Sequence, residues 1–300
     1  MAEVNHSTGP SAGDATDFSC GVAKFCLLPV KSPRRVRSTH VRRRSGAPPV
    51  ATSTDLSVQL YSVREPLAAD LPATLDRLAG IGFTKVELFS FVDLAEGYRS
   101  ALPASGLTAP SAHARLLGPQ EGTSVDEILD IAASLGVQTV IDPHVDPTRW
   151  TTADDVKTIA DELNALVDSA ASRGLTLGYH NHAFEFENRV DGLSAFEHLA
   201  SLLDDRIVLE LDTYWAAVGG DDPAAVLGRL GDKVRFLHIK DGPVSSDTQE
   251  QLPAGKGAMD IPSILAAAPQ ALPVLEFDAY AGDIFEGLTT GFSYVSELSA

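Results

Sequence analysis

Short apolar runs alternate with segments of helical periodicity from residue 55 to the end of the chain. The helical segments repeat apolar residues at three- and four-residue spacing, as one buried helix face requires. Runs of strand length separated by such helices are typical of a parallel α/β sheet. The pattern predicts eight strands: Leu56–Ser62, Thr84–Phe89, Leu107–Ala112, Thr139–Pro143, Leu175–His182, Val208–Asp212, Arg235–Ile239 and Pro273–Phe277.

Helix start and stop signals fall between these strands. The run from Thr152 to Asp155 predicts a capping box, and Ser124 opens the preceding helix in the same way. Asp222 precedes Pro223, which suits the first position of a helix. Gly82, Gly106, Gly136 and Gly174 each follow a helical pattern and precede a strand, where a helix end favours glycine.

The number of strands favours a closed barrel over an open doubly wound sheet. Residues 55–300 are close to the roughly 250 residues of a (β/α)8 barrel. An open sheet commonly has about six strands and a glycine-rich turn after the first, whereas Ser62–Pro66 contains no glycine. The sequence therefore predicts a single α/β (β/α)8 TIM barrel.

Residues 1–54 differ in composition from the rest. They are rich in Gly, Ser, Pro and Thr, contain the basic run 33–44 and show no repeated apolar face. We interpret them as a disordered basic extension, followed by a barrel domain at 55–300. The apolar run Phe25–Val30 is too short for a signal peptide, and no apolar segment follows the Arg34–Arg35 pair.

Charge and cysteine content exclude several classes of protein. Residues 1–54 hold eight Lys and Arg against three Asp and Glu, a net charge of +5. The formal charge of the whole chain is −18, so residues 55–300 alone carry −23. Such an acidic domain repels nucleic acid and anionic membranes. Both cysteines, Cys20 and Cys26, precede the barrel, which excludes a disulfide framework or a cysteine zinc site there. We expect a cytoplasmic protein with no membrane span; whether it is a homo-oligomer stays open.

Four predicted strands in the second half end on residues that can bind a divalent metal. They end on the histidines of Leu175–His182, on Asp212, on His238 and on Glu276. Parallel strands of a barrel bring their carboxyl ends to one rim, which is where the functional sites of such barrels lie. The sequence therefore predicts a mixed nitrogen and oxygen metal site there.

The histidines of the barrel follow the same rule. Five of the six fall at or just past a strand end, and only His198 lies within a helix; the five are His113, His144, His180, His182 and His238. Asp212 and Glu276 would point into the barrel, where an unpaired charge is costly. Their partner could be a metal or Lys240, which follows His238 by two residues and so faces the same side of the strand. The alternative to a metal site is an ion pair of Lys240 with Asp212 or Glu276 that only fills the rim.

These residues resemble the sugar phosphate isomerase/epimerase family of xylose isomerase-like barrels. The resemblance covers essentially all of residues 55–300 and rests on Gly178–Phe186, Leu211–Trp215, Leu237–Asp241 and Leu275–Asp278, with the similar segments Val58–Arg64 and Gly255–Asp260. The group includes ketose 3-epimerases, inosose dehydratase, hydroxypyruvate isomerase, keto-glycoside lyases and a DNA-repair endonuclease. The resemblance therefore implies the fold and a metal site more specifically than it implies a substrate.

The resemblance also implies a ligand set. Epimerases of this group hold the metal with Glu, Asp, His and Glu from strands five to eight. The last three of these ligands match Asp212, His238 and Glu276 here. The fifth-strand glutamate is missing, and His180 is the expected replacement, with Glu185 as the alternative. Because that glutamate is one of two opposed bases in the epimerases, a one-base isomerisation or a β-elimination is as plausible as epimerisation.

The expected reaction is proton abstraction next to the carbonyl of a keto sugar, sugar phosphate or cyclitol. Glu276, Lys240 and His180 are the predicted catalytic residues, and Mn²⁺, Mg²⁺, Co²⁺ or Zn²⁺ would suit the ligands. The predicted substrate-binding residues are His144, His182, Glu185, Trp215 and Lys256. The alternatives are a metal-dependent dehydratase or lyase and, less favoured, an endonuclease or a non-catalytic sugar-binding barrel; the three ligands present place the non-catalytic barrel last.

Overall fold

The computed structural model describes residues 55–120 and 122–298. The prediction of a disordered extension at 1–54 lies outside the described residues. Within them, the chain forms an eight-stranded parallel sheet wrapped by helices. The predicted TIM barrel is confirmed.

The barrel strands occur in chain order β1 to β8. They are β1 Ser57–Val58, β2 Lys85–Leu88, β3 Thr108–His113, β4 Thr139–Asp142, β5 Thr176–His180, β6 Ile207–Asp212, β7 Val234–Ile239 and β8 Leu272–Leu275. From β2 to β8 each strand pairs with the next one in the sequence, and β8 pairs with β1. A single parallel bridge between Gln59 and Glu87 links β1 to β2 and completes the ring.

Helices follow the strands on the outside. They are α1 Arg64–Ala69, α2 Leu71–Ile81, α3 Ala95–Ser105, α4 Val125–Ser134, α5 Ala153–Ser172, α6 Phe184–Glu187, α7 Ala195–Leu202, α8 Thr213–Val218, α9 Pro223–Leu230, α10 Ile261–Ala267 and α11 Ile284–Leu298. The capping box at Thr152 is present, and Ser124 and Asp222 cap α4 and α9 as predicted. Gly106 ends α3 with φ 71°, which glycine adopts without the cost a Cβ would bring.

Several strands differ in length from the prediction. β1 spans only two residues, because the Gln59 side chain accepts a hydrogen bond from the Tyr61 amide and starts a 3₁₀ turn at Leu60–Val63. β5 ends at His180 rather than His182, and β8 ends at Leu275, one residue before Glu276. The short hairpin at Arg189–Val190 and Leu193–Ser194 was not predicted.

The barrel interior changes character along its axis. One end is filled by a small apolar cluster of Ile141, Phe236 and Val274, with Val208 and Leu272 beside it. Gly178 of β5 makes room for this cluster, since a Cβ there would lie 2.9 Å from Ile141 Cγ1. The other end, towards the carboxyl ends of the strands, is lined by buried carboxylates and imidazoles.

A larger apolar core lies between the strands and the helices and includes Trp150, Tyr98 and Phe196. This core fixes the strands from outside, so the polar end of the interior is held on a rigid frame. None of the described helices combines the length and the apolar character that a membrane crossing needs.

Candidate active site

Glu210 and Asp212 lie two residues apart on β6, so both side chains point to the same face, into the barrel, where they are fully buried. Asp212 Oδ1 accepts the Trp215 amide at 2.9 Å and so caps α8. The Asn181 side chain bonds both the amide and the carbonyl of Asp212, at 2.9 and 3.1 Å. These contacts fix Asp212 so that its second oxygen, Oδ2, points towards β7 and β8.

Asp212, His238 and Glu276 form a compact group, which we call the outer set. Their ligand atoms all lie within 4.8 Å of one another, and the three residues are buried. His238 Nδ1 lies 2.6 Å from Glu276 Oε2 and 4.0 Å from Asp212 Oδ2. The structure thus brings together three of the four metal ligands predicted from the sequence.

Lys240 lies among the carboxylates of the outer set. Its Nζ is 2.7 Å from Asp212 Oδ2, 2.8 Å from Glu276 Oε2 and 3.0 Å from Asp278 Oδ1. Asp278 Oδ2 in turn accepts the Trp215 indole N–H at 3.2 Å. Lys240, predicted from the sequence as a partner of these carboxylates besides a metal, is therefore in contact with them.

The pKa values in the outer set follow from burial and these ion pairs. Burial raises the pKa of Asp212 to about 6 against the opposing effect of Lys240. Burial also acts to raise the pKa of Glu276, but Lys240 and His238 together hold it well below its usual range. Burial opposes the charge of Lys240, yet Asp212, Asp278 and Glu276 raise its pKa well above the ordinary value. Glu276 and Lys240 are therefore charged at neutral pH.

His180, the predicted fourth ligand, stands beside the outer set rather than within it. Its Nε2 lies 3.9 Å from Asp212 Oδ2, and its Nδ1 lies 3.1 Å from Glu210 Oε2. Burial holds the pKa of His180 well below its usual value, so the ring is neutral and its nitrogens can bind a metal.

The five histidines predicted at the rim form one chain of ring contacts. His113, His180 and His238 have ring centroids 4.6 to 5.4 Å apart. His182 follows His180 at 5.2 Å, and His144 follows His182 at 5.4 Å. Burial, with help from Lys240, lowers the pKa of His182 to about 3, so this ring is also neutral.

A cavity of about 700 Å³ opens beside these histidines. Its lining includes His113, His144, His180, His182, Glu276 and Asp278, together with Tyr61, Phe89, Phe91 and Arg115. The cavity thus combines aromatic faces with a row of polar groups from the strand ends. Such a mixture suits a small polar molecule that also presents apolar faces.

Three predicted substrate-binding residues are not among those that line this cavity in the described part of the chain. Glu185 is fully buried and accepts hydrogen bonds from Tyr179 Oη and the His182 amide, so it orients His182 instead. Trp215 contacts Asp278, and its ring lies 5.8 Å from Lys240 Nζ. Lys256 is exposed on the loop after β7.

Sequence reasoning missed a deeper part of the site. Glu87 of β2 is fully buried and accepts a hydrogen bond from Gln59 Nε2 at 2.6 Å. Its Oε1 also lies 2.7 Å from His238 Nε2, and Glu210 Oε2 lies 2.6 Å from His113 Nε2. The available signal was a single polar residue between two apolar ones in a predicted strand. Glu87 lies between Val86 and Leu88, and Gln59 lies between Val58 and Leu60.

A buried aspartate also organises the loop after β7. Asp241 accepts backbone hydrogen bonds from Gly242, Gly255, Gly257 and Met259, at 2.8 to 3.1 Å. Gly257 must be glycine, because a Cβ there would lie 2.2 Å from Asp241 Oδ1. The loop that follows Lys240 is therefore fixed from within.

The barrel, its polar end and the convergent ligands match a known family. The sequence profile of the xylose isomerase-like TIM barrel matches residues 75–270. The chain belongs to this family. The match covers the strands that supply Glu87, His180, Asp212 and His238, and it ends before Glu276.

Among curated relatives, the barrel is similar to inosose dehydratases. The protein of that name from Lacticaseibacillus casei is 27% identical over 125 residues, which span 41% of this chain and 37% of the relative. A second, from Geobacillus kaustophilus, is 32% identical over 107 residues and 34% of its length. The chain thus matches about a third of the length of these relatives.

Among solved structures, a sugar phosphate isomerase/epimerase from Parabacteroides distasonis has a TM-score of 0.72 at 24% identity. The alignment covers 85% of this chain and 99% of that one. The IOLI protein, solved with a bound zinc atom, has a TM-score of 0.61 at 17% identity, with 81% and 97% of the two chains covered. At these identities the similarity establishes the fold.

Proposed function

We propose that this barrel is a metal-dependent isomerase or epimerase that moves a proton next to the carbonyl of a keto sugar or cyclitol. The observation that carries the proposal is the outer set, Asp212, His238 and Glu276, which contacts Lys240 and borders a polar cavity through Glu276. Membership of the xylose isomerase-like family supports an enzyme of this general class.

The residues present fit a divalent metal. Two carboxylates and an imidazole lie within 4.8 Å of one another, and Asp212 Oδ2 is buried, with the ion pair to Lys240 Nζ at 2.7 Å. Asp212, His238 and Glu276 would hold the ion, with His180 as the fourth ligand, and this donor set accepts Mn²⁺, Mg²⁺, Co²⁺ or Zn²⁺. When bound, such an ion supplies positive charge that stabilises an oxyanion developing on the substrate. The zinc in the related IOLI structure supports this choice of cofactor.

The protein's own groups divide the remaining tasks. Glu276 borders the cavity and is ionised, so it can take a proton from the carbon beside the carbonyl. Lys240 is charged, buried and in contact with Glu276, so it can offset negative charge that develops beside that carboxylate. His180 and His182 line the same cavity as neutral rings, so either can form a hydrogen bond with a substrate hydroxyl.

The cavity favours a neutral sugar or cyclitol over a phosphorylated one. Arg115 is its one arginine or lysine among the described lining residues, and its Nη2 lies 3.5 Å from His144 Nδ1. A phosphate usually needs several convergent donors. Hydroxyl groups instead find partners in His144, His182 and Asp278, and the aromatic rings of Tyr61 and Phe89 can pack on the faces of a sugar.

A dehydratase is the second candidate, and the inosose dehydratase relatives favour it. In that reaction Glu276 would take the same proton, and Lys240 or a histidine would give a proton to the hydroxyl that leaves as water. The two reactions share their first step and differ in product. The acidic barrel argues against an endonuclease, which would need a basic groove for DNA.

The proposal is tested by incubating the metal-loaded protein in D₂O with a panel of keto sugars and cyclitols. We expect one class to exchange the proton next to its carbonyl for deuterium and to yield an isomer, as followed by NMR. A chelator should stop both processes, and restored metal should restart them. Loss of water from the substrate would assign the dehydratase; no exchange with any member of either class would refute proton transfer.

A further inference from the structure

A second group of ligand atoms lies deeper in the barrel than the outer set. It comprises Glu87, His113, His180, Glu210 and His238, and we call it the inner cluster. We propose that the inner cluster binds a divalent cation of its own, of the zinc type, which does not depend on Asp212 or Glu276. This inference concerns metal binding and goes beyond the proposed reaction.

The donor atoms of the inner cluster converge closely. Glu210 Oε2 lies 2.6 Å from His113 Nε2, 3.1 Å from His180 Nδ1 and 3.1 Å from His238 Nε2. The ligand atoms of these four residues all lie within 4.8 Å of one another. Three imidazole nitrogens and a carboxylate oxygen at that spacing form a four-ligand set, with Glu87 Oε1 at 2.7 Å from His238 Nε2 as a neighbouring carboxylate.

The inner cluster relies on its histidines for positive charge. Glu87 and Glu210 are fully buried, and within the described residues their ion-pair partners are histidines alone. Two buried carboxylates are costly unless their charge is compensated. The outer set differs in this respect, because Lys240 already lies within 2.8 Å of both of its carboxylates.

Two unpaired oxygens show that the protein's own hydrogen bonds do not complete the cluster. Glu87 Oε2 and Glu210 Oε1 are both buried and have no hydrogen-bond partner among the residues that the structure describes. A closed network of protonated histidines and carboxylates would leave few such atoms, since buried polar groups are nearly always bonded. A cation that takes the place of the imidazole protons would have open coordination positions for these free oxygens.

The shared rings explain how two sites can lie so close together. His238 turns Nε2 to the inner cluster and Nδ1 to Glu276, and His180 likewise turns Nδ1 inwards and Nε2 towards Asp212. Each site nevertheless has residues of its own. Asp212 and Glu276 belong to the outer set, whereas His113 and Glu210 belong to the inner cluster.

The donor types decide which metal the inner cluster prefers. Imidazole ligands suit Zn²⁺, Co²⁺, Ni²⁺ or Fe²⁺, whereas Mg²⁺ and Mn²⁺ favour carboxylate and water oxygens. Three histidines therefore select a zinc-type ion. The outer set, with two carboxylates, is less selective.

The test measures Co²⁺ binding by equilibrium dialysis and visible absorption, first in a variant that lacks the outer carboxylates. In Asp212→Asn/Glu276→Gln we expect one tightly bound Co²⁺ that Zn²⁺ displaces and Mg²⁺ does not. Adding His113→Ala or the isosteric Glu210→Gln should weaken this binding by more than the roughly 10–100-fold that loss of an outer-shell partner causes. The matched control is His198→Ala, which removes a histidine from α7 and should leave Co²⁺ binding unchanged.

Two results would overturn the proposal. The first is that Asp212→Asn/Glu276→Gln, folded by circular dichroism, binds no Co²⁺. The second is that Glu210→Gln and His113→Ala leave the affinity and the spectrum as they were. Neither readout uses substrate, so failure here and failure of the proposed isomerase reaction are separate outcomes.

Discussion

Lys240 Nζ lies 2.7 Å from Asp212 Oδ2, so the protein places its own cation against one of the proposed metal ligands. The same ammonium contacts Glu276 at 2.8 Å. A bound metal ion and the Lys240 ammonium would therefore compete for the same two carboxylates. This competition makes the role of Lys240 open to direct measurement.

Replacing Lys240 with methionine should lower the stability of the metal-free protein and raise its affinity for Mn²⁺. Breaking a buried ion pair typically costs about 3–5 kcal/mol, because the partner charge is left unpaired. Added Mn²⁺ should restore the melting temperature of Lys240→Met, as calorimetry can show. The control is Lys157→Met, which breaks an exposed pair with Asp161 and should change neither quantity. Unchanged or weaker Mn²⁺ binding by Lys240→Met would show that the two cations do not compete.

Asp212→Asn should reduce Mn²⁺ affinity at least tenfold while the barrel stays folded. The substitution keeps Oδ1, which caps α8 through the Trp215 amide, and removes the charge that would bind the metal. Titration calorimetry of metal-free protein measures the affinity, and Asp232→Asn, on an exposed turn before β7, is the control. Full metal occupancy and activity in Asp212→Asn would place the site elsewhere.

Much of this site was predictable because barrel topology converts strand ends into neighbours. Asp212, His238 and Glu276 close apolar strands in the sequence, and the structure brings them together. Glu87 and Gln59 escaped notice because a single polar residue in an apolar strand resembles an ordinary surface position of an alternating strand. Trp215 was predicted to bind substrate for its aromatic ring, and Lys256 as a candidate anion contact. The place of Lys256 depends on tertiary contacts of its loop, such as those of Asp241, which the sequence pattern does not specify.

Glu185 should make the protein less stable as pH rises through neutrality. Burial raises the pKa of Glu185 from 4.5 to about 8, so the folded protein keeps a proton that the unfolded chain loses above pH 4.5. The stabilising contribution of Glu185 is complete below about pH 4.5. Between pH 4.5 and 8 the free energy of unfolding declines by at most about 1.4 kcal/mol per pH unit.

The variant Glu185→Gln resembles the protonated acid and should flatten this dependence in urea titrations from pH 5 to 8. Glu187→Gln, exposed on the same short helix, is the control and should retain the wild-type slope. An unchanged slope in Glu185→Gln would mean that Glu185 is ionised in the folded protein at neutral pH.

Removing residues 1–54 should leave the barrel intact. The described part of the ring is complete from Ser57 onwards, with β1 paired to β8 and bridged to β2. The melting temperature should therefore shift by less than the roughly 2–4 °C that 1 kcal/mol is worth at this size. Deleting residues 1–59 instead removes β1 and the Gln59 bridge and should lower it clearly. A large decrease for the shorter deletion would show that residues 1–54 contribute to the folded domain.

The proposed function depends most on Glu276, which we assign both metal binding and proton transfer. Glu276→Gln keeps the shape and one coordinating oxygen but removes the basic carboxylate. Metal affinity should fall modestly, and Glu250→Gln, on an exposed loop, should behave as wild type.

The most direct measurement is the rate at which metal-loaded Glu276→Gln exchanges the proton next to the substrate carbonyl with solvent deuterium, followed by NMR. We predict a decrease on the order of a hundredfold or more relative to wild type, the usual effect of losing a positioned base. Exchange that survives while turnover is lost would transfer the role of base to a fifth-strand histidine. Exchange and turnover both at the wild-type rate would contradict the account, because Glu276 would then be a structural carboxylate.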